Sequence, residues 1–197
     1  MKNKDKVREI IKNSSSNTVS TKQVTGSGIN RGVLKELVDC GEIYRVGRGL
    51  YIKSEAWEDD FYLLQQRYSR GIYSYDTALY LLGYSDRTPF RYTMTFPKGY
   101  NSPSIKYENI NIKRVILDNY SFGIIKIKSP CGNDIYVYDL ERTLCDILRG
   151  NGIDVQIINQ AIKKYALSKN KNIHKLMQYA KKLHVVPKVL HYMEVLL

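Results

Sequence analysis

The chain has 197 residues, enough to bury a substantial core as one large domain or two small ones. Its 31 Lys and Arg against 19 Asp and Glu give a formal charge of +12, a balance that points to a polyanionic partner, nucleic acid before membrane. No apolar run reaches membrane-spanning length, the basic start MKNKDKVREI lacks the apolar core of a signal peptide, and Cys40, Cys131 and Cys145 are odd in number, far apart and without a CxxC. These features argue against a membrane protein, a disulfide framework and a metal cluster, and lead to the expectation of a cytoplasmic protein with reduced thiols and no membrane partner.

The charge is unevenly placed. Residues 1–53 carry net +6, residues 54–103 net −1 and residues 104–197 net +7, so two basic lobes flank a neutral middle. Residues 5–12 put Val7, Ile10 and Ile11 on one face of a first helix, which ends in the polar run Asn13–Asn17. Ser20 or Thr21 begins a second, short helix carrying Lys22, Gln23 and Val24, and Thr25–Gly28 turns into a third. There Val33, Leu34, Leu37 and Val38 make one apolar stripe, Asn30 is the expected N-cap with Ile29 and Leu34 as a hydrophobic staple, and Gly41 ends the helix. Two β-prone runs, Ile43–Val46 and Leu50–Lys53, follow around a Gly47-Arg48-Gly49 turn. Three helices and a hairpin in this order predict a winged helix-turn-helix domain over residues 1–54.

Residues 55–197 read as a larger α+β domain, antiparallel strands followed by a helical region, so the fold class of the whole is α+β. Its predicted helices cover 55–69, with Trp57, Phe61, Leu64 and Tyr68 on one face, and 74–82, closed by Gly83. Strands are expected at 91–96, 110–117, 122–128 and 135–138. Helices follow at 139–149, 153–167, 172–183 and 187–196, with Pro187 opening the last.

The functional residues follow from these elements. A helix over 30–40 lying in a major groove turns Arg31 and Lys35 outward, with Asn30 and Arg31 matched to adenine and guanine edges. Ser20, Thr21, Lys22, Gln23 and Ser27 are expected on phosphates, Arg48 in a minor groove, and Arg45 and Lys53 in support. The bland alternative is a solvated basic face used for protein contacts. From Val155 to Met193 there is no acidic residue, and Lys163, Lys164, Lys169, Lys171, Lys175, Lys181, Lys182 and Lys188 form either a basic patch or dispersed solvated lysines.

No Walker, GxGxxG, HExxH or GxSxG motif is present, and His174, His184 and His191 lack ligand spacing. Asp118, Asp134, Asp139, Glu141 and Asp146 are the residues a Mg²⁺-dependent nuclease would use, but helix capping and surface roles explain them better. The expectation is a non-enzyme with no cofactor and no metal.

The stretch GEIYRVGRGLYIK, together with the predicted winged helix, resembles the N-terminal domain of the AbiE-type (AbiEi family) antitoxins of type IV toxin–antitoxin systems. YSYDTALYLLGYSDRTPFRYTMTFPKGYN (73–101) is similar to that family's next segment, and VYDLERTLCDILR (137–149) to its ERTL-type helix. The resemblance implies a winged helix that binds inverted repeats in its own promoter; such repeats need two copies, which can load cooperatively as monomers, so a dimer in solution is not required. It also implies a C-terminal domain that counteracts a cognate nucleotidyltransferase toxin without a stable complex. The competing reading is a plain repressor whose second domain senses a ligand or dimerises.

Overall fold

A computed structural model describes residues 3–56, 58–101, 109–150 and 152–196. Among them ten helices and eight strands form a mixed α/β architecture that fits the α+β class. The chain divides into two compact units, Met1–Ser69 with Lys128–Ile135, and Arg70–Ile127 with Tyr136–Leu197.

The first unit runs α1 (Asn3–Lys12), β1 (Thr18–Ser20), α2 (Thr21–Gly26), α3 (Gly32–Asp39), β2 (Ile43–Gly47), β3 (Leu50–Lys53) and α4 (Asp60–Arg67). Val7 and Ile11, one turn apart on α1, bury against Val19, Val24, Ile29, Val33, Leu34, Leu37 and Ile43. Each fully buried aliphatic side chain of this kind contributes roughly 1.5–3 kcal/mol. The strands form an antiparallel sheet in the order β1-β3-β2, with Val19 opposite Tyr51 and Tyr44 opposite Ile52. Strand β1 was not expected, because three residues flanked by hydroxyl side chains show no alternation of their own.

Helix α3 begins one residue later than expected. Arg31 already has helical angles and stands at the N-cap without a side-chain bond, while Asn30 Oδ1 accepts from the Gly32 N–H at 2.8 Å. The other end is a Schellman turn. Gly41 sits at φ +71°, its N–H reaches the Val38 carbonyl at 2.9 Å, and the Glu42 N–H reaches that of Leu37 at 3.0 Å. Helix α4 starts with Asp59 as its N-cap rather than near residue 55, and buries Phe61, Leu64 and Tyr68 as expected; Trp57 lies outside the described residues.

Asp59 also holds a distant part of the chain. Its carboxylate accepts from Ser129 Oγ and, at 2.7 Å, from Asn133 Nδ2, and Ser15 Oγ donates to Asn133 Oδ1 at 3.2 Å. Residues 128–135 therefore belong to the first unit although they lie late in sequence.

A second sheet has the order β6-β5-β4-β8-β7, formed by β4 (Ile72–Tyr73), β5 (Tyr92–Pro97), β6 (Ile110–Val115), β7 (Ile124–Lys128) and β8 (Asp134–Tyr138), and all of it but Lys128, Asp134 and Ile135 belongs to the second unit. The expectation of antiparallel strands is corrected here. β4 and β5 pair antiparallel, but β5 with β6 and β4 with β8 are parallel. Residues 98–109 supply the long connection that a parallel β5–β6 pair requires. Helices α5 (Tyr75–Leu81), α6 (Leu117–Tyr120), α7 (Leu140–Arg149), α8 (Val155–Leu167), α9 (Ile173–Lys182) and α10 (Val186–Leu196) complete the unit.

The surface roles expected for Glu141 and Asp146 are also corrected. Helix α7 is buried on nearly every side: Arg142 is fully buried, Asp146 is 1% exposed and Glu141 6%. The Arg142 guanidinium lies between the Phe122 and Tyr138 rings, at 4.2 and 4.3 Å, and donates to the Asn119 and Phe122 carbonyls. Glu141 accepts from the Tyr165 hydroxyl at 3.3 Å. Asp139 caps α7 as expected, accepting from the Arg142 N–H at 2.9 Å. Asp118 and Asp134 are exposed, Asp134 pairing with Lys128 at 2.7 Å. Among the described residues no three His, Cys, Asp or Glu side chains gather as a metal site would require.

Candidate functional site

The predicted interface residues of α2, α3 and the hairpin all fall in the first unit. Burial of Val33, Leu34 and Leu37 leaves Arg31, Gly32 and Lys35 exposed on the outer side of α3, together with Glu36 and Asp39. Glu36 is neutralised by Lys4 of α1 at 3.0 Å. Arg8 binds Glu42 through Nε and Nη2 at 2.9 and 2.7 Å, and these hydrogen bonds hold the Glu42 carboxyl below the usual carboxylate range. The acidic groups nearest α1 are thus already paired with cations.

Helix α2 is fixed by its own sequence. Ser20 and Gln23 form a complete capping box: Ser20 Oγ accepts from the Gln23 N–H at 3.2 Å, and Gln23 Oε1 accepts from the Ser20 N–H at 2.8 Å. Ser27 Oγ donates to the Gln23 carbonyl at 3.0 Å, and Gly28, at φ +71°, turns the chain into α3. Lys22 and Gln23 are exposed.

The hairpin turn is joined to the start of α2. The Thr21 N–H donates to the Gly49 carbonyl at 2.8 Å, and Thr21 Oγ1 reaches the same oxygen at 3.3 Å. Gly49 lies at φ +68°, where a side chain is strained, and an added Cβ would stand 3.0 Å from Thr21 Oγ1. Arg48 is exposed at the tip between Gly47 and Gly49. The exposed Arg48 turn is therefore held beside the start of α2, whose Lys22 and Gln23 are exposed as well.

Three expected contributors are placed differently. Arg45 is exposed, but its Nε donates to the Gly47 carbonyl at 2.9 Å, across the bulge between Arg45 and Gly47. Lys53 pairs in register with Ile43 at the far end of the hairpin from Arg48, and its Nζ binds Glu55 at 2.9 Å. There it borders a cavity of about 470 Å³ that Arg8, Lys12, Leu37, Ile43 and Glu55 also line. Asn30 has committed its side-chain oxygen to the Gly32 N–H, so its NH₂ group is what it presents outward.

The eight C-terminal lysines lie in the second unit, and five of them are engaged, Lys188 through a 2.8 Å bond to the Leu148 carbonyl. Lys164 donates to the Gly83 carbonyl at 2.6 Å, and Lys171 to that of Ala166 at 2.7 Å. Lys175 bridges Asp139 and Glu141 at 3.0 and 3.3 Å, and Lys182 stands 4.1 Å over the Phe122 ring. Lys163 and Lys181 are exposed.

Sequence reasoning missed one side chain beside the hairpin. Arg67, in the last turn of α4, donates from Nη2 to the Val46 carbonyl, and its Nε would stand 3.3 Å from a Cβ at Gly47. A lone arginine ending an amphipathic helix gives no local sign of such a contact. On the same side of the hairpin, the Tyr44 hydroxyl donates to Glu58 at 2.6 Å, a bond that raises the Tyr44 pKa.

No family model matches the chain, and no curated protein does. Among solved structures the chain is similar to the RV2827C protein from Mycobacterium tuberculosis, at 14% identity with a TM-score of 0.51, over 95% of this chain and 80% of that one. At that identity the likeness concerns the fold. No helix among the described residues is long and apolar enough to cross a membrane.

Proposed function

We propose that the first unit is a winged helix-turn-helix that binds double-stranded DNA. In this reading α3 is the recognition helix, the β2–β3 hairpin is the wing, and the protein represses its own promoter. The observation that carries it is the Thr21–Gly49 pair of hydrogen bonds, which ties the Arg48 turn to the start of α2, the helix that bears Lys22 and Gln23 and leads through Gly28 into α3. A helix entering a major groove presents its N-terminal residues to base edges, and Arg31 stands at the N-terminus of α3 with a guanidinium suited to guanine. The Asn30 NH₂ is free to donate to a base or phosphate acceptor. Lys22, Gln23 and Ser27 set the register on phosphates, and Arg48 reaches an adjacent minor groove.

The resemblance of residues 73–101 and 137–149 to AbiE-type antitoxins extends the proposal to the second unit. The chain is then the antitoxin of a type IV toxin–antitoxin system. It opposes a nucleotidyltransferase toxin encoded beside it without a stable complex, and it has no catalytic site of its own. Two copies load on inverted repeats, each presenting one α3 to a half-site.

The test is binding of the full chain to the duplex upstream of its own gene, with unrelated duplex of equal length as reference. Arg31→Ala and Arg48→Ala are each expected to weaken specific binding about tenfold or more. Co-expression with the neighbouring gene product separates the second function: both variants still protect the cell if the two units act independently. A small molecule that changes operator affinity, with no protection by the full chain, would instead support a plain repressor.

A further inference from the structure

We propose that Arg67 is a positioning residue of the DNA interface, holding the wing in place from α4 without itself touching DNA. The inference rests on the winged-helix reading above and adds a residue to it that lies outside the three helices and hairpin of that motif.

In the sheet β1-β3-β2 the strand β2 lies at the edge, paired only with β3, and it carries a bulge between Arg45 and Gly47, immediately before the tip. At a bulge the regular ladder is locally interrupted and backbone groups lose cross-strand partners. Val46 is the residue that the bulge leaves without a register partner, and Arg67 Nη2 donates to its carbonyl. The Arg67 guanidinium edge also lies close over Gly47, where its Nε would stand 3.3 Å from an added Cβ. Gly47 leaves the space that this seat needs. The contact grips the two residues preceding Arg48, so its loss frees the part of the wing that aims Arg48.

Arg67 is itself anchored. Helix α4 is capped by Asp59, which is 4% exposed and accepts from Tyr62 N–H, Ser129 Oγ and Asn133 Nδ2. The helix therefore starts from a fixed point and ends on the wing. A second tie, Tyr44 to Glu58 at 2.6 Å, joins the base of β2 to the segment just before α4.

The alternative is that Arg67, which is exposed, is one more phosphate contact. A double-mutant cycle separates the two, because residues that act through one another are non-additive while independent contacts add. Arg67→Ala, Arg48→Ala and the double variant are titrated against the upstream duplex, with far-ultraviolet circular dichroism and thermal unfolding as folding controls. Arg67→Ala is expected to weaken binding several-fold, and in the Arg48→Ala background to add almost nothing.

The inference is overturned if Arg67→Ala binds as wild type or if the two arginine losses multiply in the double variant. Failure of the wild-type chain to prefer the upstream duplex would instead overturn the winged-helix reading, before any variant is compared.

Discussion

Arg142 and Asp146 stand one turn apart on α7 and pair inside the core, Nε to Oδ2 at 2.9 Å, with at most 2% of either side chain exposed. Among the described residues Arg142 Nη2 and Asp146 Oδ1 have no hydrogen-bond partner, although Arg149 Nη2 lies 3.5 Å from that carboxylate oxygen. Removing one member of a buried ion pair leaves the other charge uncompensated, at a cost of about 3–5 kcal/mol. Arg142→Ala is therefore expected to lower the unfolding free energy by that amount, read from denaturant midpoints. Replacing both by apolar side chains of similar volume, Arg142→Met with Asp146→Leu, is expected to recover most of the loss. A single variant within about 1 kcal/mol of wild type contradicts the account of α7 as the centre of the second unit's core.

The clasp at Asp59 makes a separate prediction. Asp59→Ala removes a helix cap, worth about 0.5–2 kcal/mol, and leaves the buried Asn133 amide and Ser129 hydroxyl short of an acceptor, at about 1–3 kcal/mol more. Limited proteolysis is the direct readout. Cleavage within 128–135 is expected to accelerate in the variant, and unchanged cleavage would mean that other contacts hold that turn.

These two clusters show where the sequence was legible and where it was not. The apolar stripe of Val33, Leu34 and Leu37, the Gly41 stop and the Gly47–Gly49 turn are local signals, and the elements they predict are present. Burial of Arg142 with Asp146 is not local. A charged pair at i, i+4 reads as a solvated helix face unless one knows that Phe122 and Tyr138 close over it. The Asp59–Asn133 bond joins residues 74 positions apart, and no spacing announces it. Strands β1 and β4, three and two residues long, are too short to show alternation. The parallel β5–β6 register depends on where the chain returns, not on what the strands contain. In the candidate site the exposed residues of α2, α3 and the tip were foreseeable from periodicity. Ion pairing of Lys53 with Glu55 and the seat of Arg67 over Gly47 were not.

Gly49 offers a third prediction. Gly49→Ala forces a side chain into the left-handed region, at about 1–2 kcal/mol, and crowds Thr21 Oγ1. Operator affinity is expected to fall together with thermal stability. Thr21→Val, which removes only the 3.3 Å hydroxyl bond and keeps the N–H bond to Gly49, should be milder on both counts.

The second unit should weaken in alkali. Burial, with Asp146 nearby, raises the Cys145 thiol from 9.0 to about 12, and burial likewise raises the Tyr138 and Tyr165 hydroxyls. Each group has a folded pKa above its unfolded one, so its contribution is full below the unfolded value and is lost as pH rises through the folded one. Stability is expected to hold to about pH 9 and to decline from there toward pH 12. In the native state a thiol reagent should modify exposed Cys40 and Cys131 and spare Cys145 until the protein unfolds. Rapid native labelling of Cys145 would contradict this packing.

The most direct test of the central claim is a salt series of full-chain binding to the duplex upstream of the gene, for wild type and Arg31→Ala. The account predicts tight, sequence-selective binding by wild type. It also predicts loss of selectivity in Arg31→Ala, with a log-affinity against log-salt slope that changes by no more than about one contact. Equal affinity for the upstream and unrelated duplexes, or an Arg31→Ala protein as selective as wild type, would contradict α3 as a recognition helix.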